Sequence, residues 1–110
     1  PADLTLLADS EGALMMEFRV DQHPLGRVEQ RMDCGWPCSG SKDMTEFFRS
    51  LPEGQWARIG ISLSCFRKLG VNLSKETTPL VLLSTEPFAV TFRDVRVIAN
   101  APEKSLLSCN

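Results

Sequence analysis

The feature that most constrains this chain is strict two-residue alternation between apolar and polar side chains. In Ala13–Val20, Leu14, Met16, Phe18 and Val20 fall on one face, and Met15, Glu17 and Arg19 on the other. That period belongs to a half-buried β-strand, because successive side chains of a strand point to opposite faces. Arg27–Asp33 repeats the pattern, with Val28, Gln30 and Met32 opposed to Arg27, Glu29, Arg31 and Asp33. Pro24 and Gly26 punctuate the stretch between them, and a hairpin is the simplest expectation. Gln55–Cys65 is the clearest strand, in which Ile59, Ile61, Leu63 and Cys65 alternate with Arg58, Gly60, Ser62 and Ser64. Thr78–Thr85 and Phe88–Ala99 complete the set. The apolar phase changes at Arg93-Asp94, which predicts a bulge or a break there. Asp3–Ala8 reads as the entry to a further strand.

Between the second and third strands lies Cys34–Lys42, rich in Gly, Ser and Pro and expected to be a loop. One short helix follows. Asp43 and Glu46 are spaced to take orphan amides of its first turn, Met44, Phe47, Phe48 and Leu51 recur at helical spacing, and Pro52 and Gly54 stop it. Cys65–Leu69 is expected to make a single turn closed by Gly70. Short strands separated by turn signals, with one short helix, predict an all-β, jelly-roll-like β-sandwich. About six strands are expected where a jelly roll has eight. At 110 residues the chain suits one domain, taken as residues 1–100, with 101–110 as a loose tail. The first residue is Pro1, with no basic-then-apolar leader, so either a signal has been removed or the chain is an internal piece of a longer protein; the second is the expectation, because Asp3–Ala8 reads as entering a strand with no lead-in.

Charge and composition narrow the function. A net charge of -2 gives no basic field for a phosphate backbone, so nucleic acid is not an expected partner. The longest apolar runs, such as Leu80-Val81-Leu82-Leu83, are too short to cross a bilayer as a helix, and no membrane partner is expected. The single histidine, His23, has no nucleophile-elbow motif to serve, and no phosphate-cradling glycine loop is present. Glu29 and Asp33 share a face with Arg27 and Arg31, which is the pattern of a solvated, ion-paired face rather than of a glycosidase acid pair. No residue is assigned a catalytic role.

Four cysteines are present. In Cys34-Gly35-Trp36-Pro37-Cys38 the close pair is open to three readings: a disulfide closing a small ring, two free thiols, or zinc ligands. The disulfide is the expectation, and it implies an oxidising compartment. Cys65 sits on an apolar alternation as a small buried hydrophobe, and Cys109 lies in the polar tail as a free thiol. Sugars offer apolar C–H faces, so a glycan site would combine an exposed aromatic with planar polar side chains. The candidates are Trp36 and the row Arg27, Glu29, Arg31, Asp33. The alternative for Trp36 is a loop anchor tucked onto the sandwich edge. Trp56 opens the strongest strand and is expected in the core. No cofactor is expected. Sandwiches of this kind often hold a structural calcium ion, but no ligands are assignable to one here.

Taken in order, Met32-Asp33-Cys34-Gly35-Trp36-Pro37-Cys38, Asp43-Met44-Thr45, Gly54-Gln55-Trp56, Ile61-Ser62-Leu63-Ser64-Cys65-Phe66, Gly70-Val71-Asn72, Thr78-Pro79-Leu80 and Phe92-Arg93-Asp94-Val95-Arg96-Val97 resemble one family over roughly residues 3–98. It is the ExoP galactose-binding-like domain, found at the C-terminus of bacterial glycoside hydrolase family 3 exo-β-glucan glucohydrolases and β-glucosidases. The resemblance implies a galactose-binding-like sandwich that lacks the N-terminal strands of the family domain. It also implies a periplasmic or extracellular parent enzyme acting on β-linked glucans, whose catalytic carboxylates lie in other domains. Two roles follow as expectations: a glycan-binding accessory domain, or a purely structural domain packed on the catalytic domains of the same polypeptide.

Overall fold

The computed structural model describes residues 1–109. Six strands form two three-stranded antiparallel sheets among these residues. The strands are β1 (Ala13–Gln22), β2 (Val28–Asp33), β3 (Ser39–Asp43), β4 (Trp56–Ser62), β5 (Thr78–Ser84) and β6 (Ala89–Ile98). One sheet has the order β4-β1-β6 and the other β3-β2-β5. They stack through inner faces built from the alternation seen in the sequence. Leu14, Met16, Phe18 and Val20 of β1 face Val28, Gln30 and Met32 of β2, and all are at most 1% exposed. Rings gather at the core: Phe18 lies 5.5 Å from Phe48 and 5.7 Å from Phe92. The all-β sandwich is the predicted architecture.

β1 and β2 do not form a hairpin. β1 pairs with β4 and β6, while β2 pairs with β3 and β5. Alternation specifies which face of a strand is buried but not which strand lies beside it, and two strands in sequence can face each other across the core. The predicted bulge is present. Glu17 pairs with Asp94 and Phe18 with Phe92, so Arg93 is the extra residue. This slip keeps both Phe92 and Val95 on the inner face despite the phase change.

Helices are more numerous than the one short helix and the single turn predicted at Cys65–Leu69. Asp3–Ala8 is not a strand: α1 spans Thr5–Asp9, started by Asp3 Oδ1 accepting from the Thr5 amide at 3.0 Å. Ala8 is its buried position, and Leu4, the residue that precedes it, is buried too. α2 runs over Thr45–Ser50, and Asp43, the last residue of β3, accepts from both the amide and the hydroxyl of Thr45. α3 occupies Leu63–Lys68, capped by Ser62 and followed by Gly70 at φ +106°.

The C-terminal segment is not a loose tail. After a 3-10 turn at Glu103–Ser105, the Leu107 amide donates to the Gly60 carbonyl at 2.9 Å, alongside the edge of β4. Leu106 and Ala101 cover Ala13 and Met15, which point out of the sandwich yet are buried. Gly60 permits this crossing, since a Cβ there would sit 2.9 Å from Leu106 and against the Met15 sulfur. Cys109 is not a free thiol: it is bonded to Cys65, with 5.4 Å between their Cα atoms. Asn110 lies outside the described residues.

Candidate functional site

β2 is the middle strand of its sheet, so its outward residues form a stripe down the centre of that face. Glu29 is flanked by Asp43 of β3 and Leu83 of β5, Arg31 by Ser41 and Val81, and Asp33 by Ser39 and Thr78. One border of the stripe is therefore polar and the other largely apolar. The charges pair along the strand. Arg27 meets Glu29 at 2.7 Å and Asp43 at 3.5 Å, and Arg31 meets Asp33 at 2.6 Å. Residues two apart on a strand share a face, and the sequence alternates cation and anion at that spacing, so this lacing is what the pattern predicts. Asp43 is held below the usual carboxylate range, first by the Thr45 hydroxyl, then by the Thr45 amide, with Arg27 and Lys42 adding to this. Such paired side chains keep their planar donors and acceptors fixed while remaining partly exposed.

Trp36 stands at one end of the stripe. β2 and β3 are joined by a tight hairpin in which the Cys38 amide donates to the Gly35 carbonyl at 2.6 Å and the Cys34 amide to the Cys38 carbonyl at 3.0 Å. Trp36 and Pro37 are the two central residues, joined by a cis bond, which makes this a type VI turn. Gly35 takes φ +88°, a conformation open to glycine at no steric cost. The expected Cys34–Cys38 disulfide closes the base of the turn, with Cα atoms 5.0 Å apart. Cys34 is buried and Trp36 is 95% exposed. The indole is not tucked onto the sandwich edge.

At the other end, Arg27 borders a cleft of about 610 Å³, lined also by Asp43, Glu46, Phe47 and Arg49. Sequence reasoning did not find this cleft, because it forms where the start of β2 meets α2 and the C-terminal segment. From Arg27 to Asp33 a strand advances roughly 20 Å. The five candidate residues therefore do not converge on one point; they form a line with the cleft at one end and the indole at the other.

Trp56 is not a core residue. It is 39% exposed on the outer face of the opposite sheet, beside the guanidinium of Arg93 at 3.9 Å and that of Arg19 at 5.0 Å. Its alternation partners, Arg58 and Gly60, already marked this face as outward. Arg93 bonds Glu17 at 2.7 Å, which lowers the pKa of Glu17 and raises that of Arg93. With both charges paired and a guanidinium against the ring, the patch is internally satisfied.

No group of three or more His, Cys, Asp or Glu side chains able to hold a metal ion occurs among the described residues. No helix among them is long and apolar enough to cross a membrane. The carboxyl pushed upward is that of Glu76, raised by burial, and its Oε1 has no hydrogen-bond partner. Residues 1–97 match the Exop_C family model, described as galactose-binding domain-like. No curated protein and no solved structure matches the chain.

Proposed function

Because this chain belongs to the galactose-binding domain-like family, we propose that it is a non-catalytic accessory domain that binds glycan along the outer face of β2. The observation that carries this reading is Trp36: a large apolar ring left 95% exposed at the tip of a turn closed by a disulfide. Rings on flexible loops lose freedom on binding; a ring on a short closed turn has less to lose. Arg27, Glu29, Arg31 and Asp33 continue the surface with planar polar groups suited to sugar hydroxyls, and a line of this length suits an oligosaccharide rather than a monosaccharide. The parent protein in this proposal is a family 3 β-glucosidase or exo-β-glucan glucohydrolase, periplasmic or extracellular. Two disulfides agree with an oxidising compartment.

Calorimetry with laminarin- and cellulose-type oligosaccharides tests the reading. Binding is expected, weakened at least tenfold by Trp36→Ala, which is ~1.4 kcal/mol. The same substitution should leave unfolding unchanged within about 0.5 kcal/mol, since the ring is exposed. Absence of heat at high glycan concentration, or equal affinity in the variant, would refute it. A second reading, that the domain packs on its catalytic neighbours without touching sugar, is favoured by the edge strands β5 and β6, where Leu82, Val90 and Phe92 are only partly buried and Val95 is 38% exposed.

A further inference from the structure

The segment that follows β6 is fastened to the sandwich at separate points. The Ala101 amide donates to the Glu11 carbonyl at 3.1 Å and the Leu107 amide to Gly60 at 2.9 Å. The Lys42 ammonium donates to the Cys109 carbonyl at 3.2 Å, and the Cys65–Cys109 disulfide holds the end against α3.

Between these points the packing is open. Leu107 and Ser108 wall the cleft of about 610 Å³ beside Arg27. Residues 106–109 border a second hollow of about 420 Å³, and Ala101, Glu103 and Leu106 border a third of about 330 Å³. Protein interiors pack as densely as organic crystals, so a segment lined by hollows keeps its place through its fastenings rather than through its packing. The sandwich does not depend on it for a centre. The fully buried residues between the sheets are drawn from Leu4 to Leu73, and Leu107 and Cys109 are only partly buried against them. The segment also lies beyond residues 1–97, which match the family.

The disulfide is open to a small reactant. Cys65 and Cys109 both line the second hollow, together with Ser62, Ser64 and Lys68. Cys65 is 3% exposed and Cys109 is the less buried of the two, so a thiolate entering the hollow meets Cys109 first. Lys68, a cation on the same hollow, favours thiolates there.

We propose that Cys65–Cys109 is a redox-sensitive latch: a dithiol reductant opens it, residues 106–109 leave β4, and the cleft beside Arg27 loses one wall while the sandwich stays folded. One thiolate of the reductant attacks the Cys109 sulfur, forming a mixed disulfide and releasing Cys65 as the thiolate. The second thiol of the reductant then displaces Cys109. The reductant leaves as its own disulfide, and its two protons end on Cys65 and Cys109. The latch couples the thiol poise of the surroundings to the shape of the cleft. Its release is independent of sugar binding; any effect on a glycan rests on the function proposed above.

Titration of the 110-residue chain with dithiothreitol tests the proposal, with freed thiols alkylated and mapped by mass spectrometry and hydrogen exchange followed in parallel. Once Cys65 and Cys109 are alkylated, the peptide containing Leu107 should exchange at least tenfold faster than in the oxidised chain. Peptides covering 14–20 and 28–32 should still resist exchange after that peptide has exchanged fully. Cys65→Ser/Cys109→Ser should show the same fast segment without reductant. An unchanged Leu107 peptide in the reduced chain would overturn the proposal, since the other fastenings would then suffice. So would loss of protection in 14–20 and 28–32 together with it, in the reduced chain or in the variant, since the bond would then open only with the fold. If glycan titrations give no heat while the segment is released on reduction, the sugar reading fails and this one stands.

Discussion

Replacing each disulfide by an alanine pair separates the two cross-links by the length of chain they close. Cys65 and Cys109 are 44 residues apart, Cys34 and Cys38 only 4. In the chain-entropy treatment the denatured state regains freedom that grows with the logarithm of loop length. This gives ~4 kcal/mol for the long loop and ~2 kcal/mol for the short one at room temperature. Domains of this size are stable by about 5–15 kcal/mol, so loss of the long link removes a large share. With a urea slope of roughly 1–3 kcal/mol per molar, Cys65→Ala/Cys109→Ala should lower the midpoint by about 2 M and Cys34→Ala/Cys38→Ala by about 1 M. Structure adds to the first figure. The Cys65 link holds the segment that covers Ala13 and Met15, so its loss also exposes apolar surface. The assay is equilibrium urea unfolding followed by tryptophan fluorescence and far-ultraviolet dichroism together, so that a non-two-state transition shows as disagreement between probes. If the short link costs as much as the long one, or if the long link costs under ~1 kcal/mol, the loop-length argument is refuted.

Two further predictions concern the core and the raised carboxyl of Glu76. Phe18→Ala, at a fully buried ring that touches Phe47, Phe48 and Phe92, should cost about 3–5 kcal/mol in the same assay, and a loss below ~1 kcal/mol would show that the rings do not form the centre of the core. Burial raises Glu76 above its ordinary value of about 4.5, so the folded state holds that proton more tightly than the unfolded state. Its contribution is present below that value and lost as pH rises through the folded pKa. Glu76→Gln should therefore gain stability relative to the parent as pH is raised from 4 to 8, by roughly 1 kcal/mol at the upper end, and a difference that does not vary with pH would refute this.

What the sequence discloses depends on whether a local pattern carries the information. Faces are local: the inward sets of β1 and β2 follow from alternation, and the bulge at Arg93 follows from a break in it. Neighbours are not local, and nothing in Arg27–Asp33 says that β3 and β5, rather than β1, lie beside it. β3 was hidden for a different reason. Its sequence Ser39-Gly40-Ser41-Lys42-Asp43 has no apolar side chain to mark a buried face, because the end of α3 lies where a Cβ of Gly40 would be. The Cys65–Cys109 pairing had no signal in spacing, whereas Cys34–Cys38 did. At the candidate site, the ion-paired stripe was legible because it lies on one strand. The cleft beside Arg27 was not, being assembled from three segments distant in sequence. Trp56 had a legible signal that propensity obscured: its place in the alternation put it with Arg58, on the outer face.

The short disulfide connects the fold to the proposed site, which gives a way to tell presentation from mere presence of the indole. Its loss costs only ~2 kcal/mol by loop closure, leaving the sandwich folded with Trp36 still in the chain. What changes is the closure of the turn. The two backbone bonds between 34–38 and 35–38 would alone hold a segment whose tip makes no contact that buries the ring. An indole that must be ordered on binding forfeits about 0.5–1.5 kcal/mol, a loss of roughly two- to tenfold in affinity. Cys34→Ala/Cys38→Ala should therefore bind laminarin- or cellulose-type oligosaccharides more weakly than the parent, though more strongly than Trp36→Ala. Calorimetry at a temperature where dichroism shows all three proteins folded decides it. Affinity in the double variant equal to that of the parent would mean the ring binds, if at all, without being pre-positioned. Affinity as low as in Trp36→Ala would mean the disulfide does more than hold the turn, and that Cys34, buried beneath it, helps to shape the surface along which β2 meets its ligand.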